Sequence, residues 1–238
     1  MSAVGGCSAQ SATNPADRRS TAPSASAAED PRMLSQAELE ASRLTEKEMA
    51  ALGYSSIWDD SSLKDLARRG RTAVEPMECI GLGDVIAGGY PHASSAYAQV
   101  NYSPRETAMI SGYVVLASDS QFGARDFLSM AKNSLKKCDR YTHPGRGGGE
   151  ITTRLEPGPS DNWGDESISF TALSTWQAED GPMDRRQVFT LVRSGAVTIR
   201  FDLETFYPAQ YPGKRVTPKI NPALIAQQVN KVQAAQRN

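Results

Sequence analysis

The strongest constraint on the fold is an alternation around residue 200. Val197, Ile199, Phe201 and Leu203 fall on one side of an extended chain, and Thr198, Arg200, Asp202 and Glu204 on the other. A period of two belongs to a β-strand. Apolar-against-polar alternation is the pattern of an antiparallel strand with one face on a core and one in water. Residues 188–192 precede it across the turn Arg193-Ser194-Gly195, so the two runs read as a hairpin.

Other segments supply partners for that hairpin. Ala96, Ala98, Val100 and Tyr102 alternate, residues 109–116 form a dense apolar run suited to a central strand, and Ile168, Phe170, Ala172 and Trp176 alternate again. Ser35-x-x-Glu38 and Thr45-x-x-Glu48 are capping boxes, and Gly53 stands where a C′ glycine would close the second. They predict two short helices, or one bent helix, over residues 35–52. A further short helix is predicted over residues 62–69. The longest is predicted over residues 119–138, where Ala124, Phe127, Leu128, Ala131, Leu135 and Cys138 make one helical stripe. Three prolines between residues 207 and 218 exclude sheet pairing there, and Asn221-Pro222 opens a last helix to about residue 235. This order predicts an α+β domain with helices packed on one face of an antiparallel sheet.

The domain boundary follows from composition. From residue 8 to residue 32 there is no Leu, Ile, Val, Met, Phe, Tyr or Trp. Such a segment buries too little apolar surface to fold. Residues 1–33 therefore read as a disordered Ser/Ala/Pro tether and residues 34–238 as one domain. Val4-Gly5-Gly6-Cys7 looks like a bacterial lipobox, in which the Cys7 thiol carries a diacylglycerol. Only six residues precede Cys7, too few for a positive n-region and an apolar h-region, so an ordinary thiol in a tail stands as the alternative. If Cys7 is acylated, Cys79 and Cys138 remain as an even pair. In an exported protein they would form a disulfide, for which loop closure gives about 4 kcal/mol. Two unrelated buried thiols are the cytosolic alternative.

The remaining motifs exclude more chemistry than they assign. A formal net charge of −1 gives no field for nucleic acid or an anionic membrane surface, and no run approaches the length of a membrane span. His92 and His143 lie beside prolines in loops, without metal-ligand spacing, and read as solvated. Gly81-x-Gly83 lacks the further glycines or the Gly-Lys-Ser/Thr of a phosphate loop. Arg146-Gly147-Gly148-Gly149 reads as a flexible connection. Ser-x-x-Lys occurs at Ser61/Lys64, Ser129/Lys132 and Ser134/Lys137 without the companion motifs of penicillin-interacting enzymes. The last two read as the solvated face of the long helix. Asp59-Asp60 and Glu179-Asp180 are adjacent loop acids, not carboxylates held across a substrate. Trp176 reads as core. Trp163, between Asn162 and Gly164, reads as exposed and is the candidate ligand or partner contact.

Several of these features together carry a resemblance. They are Leu34-Ser35-Gln36-Ala37-Glu38-Leu39, Cys79 before a Gly-rich turn to Tyr90, and Ala124-x-x-Phe127-Leu128 in a helix ending at Cys138. The run Gln187-Val188-Phe189-x-Leu191-x-Arg193-x-Gly195-x-Val197-x-Ile199 and the C-terminal helix complete them. Over residues 34–232 the chain resembles the PknH-like extracytoplasmic sensor domains of actinobacteria, including lipoproteins that carry the domain without a kinase. The resemblance implies an antiparallel sheet with helices against it, a ligand cleft and a cell-surface location. That family usually has two disulfides, and only Cys79–Cys138 corresponds here.

The leading expectation is a lipid-anchored binding module outside the cytoplasm, sensor-like, non-catalytic and without cofactor or metal. It would recognise an envelope ligand or protein, reach the membrane by its lipid alone and bind no nucleic acid. The alternatives are a structural envelope lipoprotein without ligand and a hydrolase of envelope polymer.

Overall fold

The structure, a computed structural model, describes residues 32–59, 73–88, 94–105, 107, 109–145, 149–159, 161–208, 210–211 and 213–238. The tether, Cys7, His92, Ser61/Lys64 and the helix expected over residues 62–69 lie outside these residues.

The chain enters through α1 (Gln36–Ala41) and α2 (Glu46–Ala51), two helices where the sequence left one bent helix open. Each starts at a complete capping box: Ser35 accepts from the Glu38 N–H and Thr45 from the Glu48 N–H, and each glutamate returns to the cap's own N–H. Two donors of each first turn are thereby satisfied. Gly53 follows at φ +86°, a left-handed conformation that suits glycine.

Eight strands then form one antiparallel sheet. They are β1 (Tyr54–Asp59), β2 (Ala96–Pro104), β3 (Ile110–Ser118), β4 (Arg140–Pro144), β5 (Glu150–Pro157), β6 (Glu166–Ala178), β7 (Gly181–Ser194) and β8 (Val197–Pro208). Their order across the sheet is β1-β2-β3-β8-β7-β6-β5-β4. The expected hairpin is β7–β8, longer at both ends than its apolar core: it pairs from Ser194↔Val197 to Met183↔Pro208. A 3₁₀ turn (Met77–Cys79) leads into α3 (Ile80–Ile86). Helix α4 (Gln121–Lys137) is the predicted long helix, capped by the Ser120 hydroxyl, and α5 (Pro222–Arg237) is capped by the Asn221 side chain.

The α+β class and the antiparallel sheet are as expected, but the helices divide between the two faces of the sheet. Val192, Ile199, Leu116 and Ala98 lie in register on one face, and α1, α2 and α5 bring Leu39, Met49, Leu224 and Val229 onto it. Leu191 and Phe189 point to the opposite face, where α3 and α4 bring Leu82, Val85, Phe127 and Leu128 onto β4–β7. The physical reason is the pleat: neighbouring residues of a strand serve opposite faces, so β7, with Val188 and Val192 on one side and Phe189 and Leu191 on the other, needs cover on both. On the second face Phe170 and Phe189 stack with ring centroids 4.9 Å apart. Cys79 and Cys138 form a disulfide there, Cα atoms 5.3 Å apart, tying the start of α3 to the end of α4. Among the described residues no helix is long and apolar enough to cross a membrane.

Candidate functional site

The polar side of β8 is the largest departure from expectation. Thr198, Arg200, Asp202 and Glu204, predicted to face water, are 1%, 3%, 3% and 9% exposed. β8 is the fourth strand of eight, with β3 and β7 on its flanks. Helix α3 also reaches over it: the Val85 carbonyl accepts from Arg200 Nη1 at 3.2 Å. Charged groups taken from water need partners. Arg200 Nε lies 3.1 Å from Asp202 Oδ2, and Gln187 Nε2 donates to Glu204 Oε2 at 3.1 Å.

The pairing along this row is incomplete. Asp202 Oδ1, Gln187 Oε1 and Arg185 Nε are buried and have no hydrogen-bond partner among the described residues. Buried polar groups left unmade cost about 1–3 kcal/mol each and are rare in native folds. Arg185 meets Glu204 only at 4.0 Å. Burial is the main influence on the acids of this floor. It pushes the Asp202 carboxyl up to about 7, with Glu204 adding to the rise and Arg200 opposing it. It also raises Glu204, against Arg185 and Gln187. Near neutral pH the floor can thus both donate and accept protons in hydrogen bonds.

Register places a rim beside this floor. Ser174, Arg185 and Phe206 are direct partners across β6, β7 and β8, and Trp176 pairs with Met183 one step outward on the same face. Trp176 and Phe206 meet edge to face over β7, ring centroids 6.3 Å apart, and Phe206 is 38% exposed. At the β4 end, Tyr141 and His143 stack at 5.8 Å. Burial pushes the Tyr141 phenol up to about 12 and the His143 ring down, Arg185 adding to the latter. Polar groups beside a partly open aromatic pair make this face the candidate ligand cleft.

The residues singled out in the sequence distribute unevenly around this cleft. Cys79 and Cys138 are joined, on the same face. Trp163 is half-buried rather than exposed: it packs against the first-face core, away from the cleft, with no partner for its indole N–H among the described residues. Trp176, expected in the core, is half-buried at the rim instead. His143 is half-buried at the end of β4 instead of solvated in a loop. On α4, Ser134 is buried against α3 and Lys132 pairs with Glu166 at 2.5 Å, so that face is not simply solvated. Arg185, Gln187, Asp202 and Glu204 had no motif to announce them. The available signal was an ionisable run on a strand placed centrally by its apolar residues. Among the described residues no group of three His, Cys, Asp or Glu could hold a metal ion.

No protein-family profile and no curated protein matches the chain. Among solved structures it is similar to the extracellular domain of PknH from Mycobacterium tuberculosis. The identity is 13% and the TM-score 0.48, over 87% of this chain and 98% of that one.

Proposed function

We propose that this chain is a lipid-anchored, extracytoplasmic binding module that recognises a small envelope ligand on the second face of its sheet, between β6, β7 and β8. The observation that carries the reading is the pair of buried polar atoms without a partner among the described residues, Gln187 Oε1 and Arg185 Nε, beside the Trp176–Phe206 pair. The Cys79–Cys138 disulfide supports an oxidising compartment, since such bonds persist outside the cytosol. The lipobox-like Cys7 supplies the anchor, through two acyl chains and no spanning helix.

The test is mass spectrometry of the protein recovered from the envelope fraction of its own cells. Under denaturing conditions we expect a diacylglyceryl mass on Cys7 and a gain of two hydrogens on reduction. Under native conditions we expect a bound small molecule, lost in the Trp176→Ala variant. A soluble, unmodified chain with free thiols and no bound mass would defeat the reading.

Two acids with raised pKa, Asp202 and Glu204, would suit the hydrolase alternative. Both acids, however, stand two residues apart on one strand. General acid/base pairs instead flank the scissile bond. The expected result of incubating the protein with envelope polymer is that no fragments are released.

A further inference from the structure

We propose that the cleft takes an amphiphilic anion: a carboxylate or phosphate group held by Arg185, on an apolar body laid against Trp176, Phe206 and Met183. The inference rests on reading this face as a binding cleft and names the chemistry it selects.

Of the three arginines that share this face, Arg185, Arg193 and Arg200, Arg185 has the longest ion pair and the most exposed side chain. Arg200 is held by Asp202 and the Val85 carbonyl, Arg193 by Asp165 at 3.0 Å, and Arg154 by Glu156 at 2.9 Å. The Arg185 side chain keeps 22% of its surface open, and its ion partner among the described residues is Glu204, at 4.0 Å. That glutamate is already engaged by the Gln187 amide. A guanidinium with N–H groups to spare matches a carboxylate or phosphate in shape as well as charge. Gln187, one step inward on β7, is buried and spends its amide N–H on Glu204, so it leaves the guanidinium uncontested.

The rim selects the rest of the molecule. Trp176 and Phe206 bracket Arg185 and Met183 from the two neighbouring strands. Half-open rings around a single cation would be poorly used by a small hydrated anion, whereas an apolar chain or ring covers them and removes their surface from water. A membrane surface fits less well. Anionic bilayers recruit clusters of basic residues, and here one loosely held arginine stands beside two carboxyl groups.

The experiment is calorimetric titration of the full chain with dodecanoate and dodecyl phosphate below their micelle concentrations. Dodecanol, dodecyltrimethylammonium and inorganic phosphate serve as comparisons, and phosphatidylglycerol vesicles as the membrane arm. We expect both anionic amphiphiles to bind, dodecanol to bind about tenfold or more weakly, and inorganic phosphate and the cation to bind least. Arg185→Gln should lower dodecanoate to the level of dodecanol, Arg185→Lys should recover part of the difference, and Trp176→Ala should weaken both. Equal binding of dodecanol or the cation, or an Arg185→Gln variant that still prefers dodecanoate, overturns the proposal. So does capture by vesicles without binding of the monomers. If Arg185→Gln does not fold, the wild-type preference and Arg185→Lys decide. Tight binding of the neutral or cationic probe would leave the binding reading standing and remove only the anion.

Discussion

At the residue scale, Asp202 is the most consequential side chain. Its folded pKa of about 7 lies well above the value near 4 of an unfolded aspartate. Between those values the folded state binds a proton that the unfolded state has released, so stability falls as pH rises from about 4 to about 7. Glu204, also raised, acts in the same direction. His143, lowered, acts in the opposite one as pH passes its ordinary value. Urea midpoints should decline across this window in the wild type and decline less in Asp202→Asn; parallel profiles would remove Asp202 as the cause. Gly112 gives a second expectation. A Cβ there would run into the Asp202 carbonyl oxygen, because β3 and β8 approach closely at this point. Gly112→Ala should cost about 1–3 kcal/mol, against little change for Gly149→Ala, whose Cβ would meet the Gln177 carbonyl oxygen at an ordinary 4.0 Å. The sequence identified Arg200, Asp202 and Glu204 as neighbours on one face and misjudged what lies over it. Alternation reports which side chains share a face. The cover comes from α3, more than 110 residues earlier in the chain. Trp163 and Trp176 are both half-buried, against expectations of exposed and core, for the same reason: polar neighbours in sequence do not decide which core a ring meets.

At the scale of elements, the caps and the β7–β8 hairpin were legible because their signals are local. Strand β1 and the β4–β5 hairpin were not, since short strands with few apolar residues become strands by pairing with a sheet already formed. The α2 cap is tied to α5, where Lys231 Nζ lies 2.8 Å from Glu48 Oε2. Burial would raise the Glu48 carboxyl, but Lys231 and Thr45 together outweigh it and hold the group at about 2. Because this folded value is depressed, its stabilisation is present above the ordinary carboxylate range and is lost as pH falls toward 2. Thr45→Ala should cost about 1 kcal/mol in chemical denaturation. The disulfide acts on a longer loop: Cys138→Ser should lower stability by about 2–4 kcal/mol, the same loss that reduction produces in the wild type. A Cys138→Ser protein as stable as the oxidised wild type would show that the α3–α4 packing suffices alone.

At the scale of the whole molecule, the eight strands carry one core over β1–β3, β7 and β8 on the first face and, on the second, a core over β4–β7 and a smaller cluster of Tyr97, Val115 and Ala117 on β2 and β3. On the second face β8 runs between these two clusters with its charged groups buried, and toward Trp176, Arg185 and Phe206 the described residues of β6–β8 become partly exposed. The proposed cleft draws on β6, β7 and β8, so no short sequence spacing encodes it; its residues come together only once register is set. The most direct test is to follow the backbone and indole N–H resonances of the isotopically labelled full chain during titration with an extract of its own envelope. A ligand in this cleft should produce shifts that cluster on Trp176, Arg185, Gln187 and Glu204, with a matching loss in Trp176→Ala. Shifts confined to the first face around Trp163, or none at saturating extract, would contradict a binding cleft on the second face.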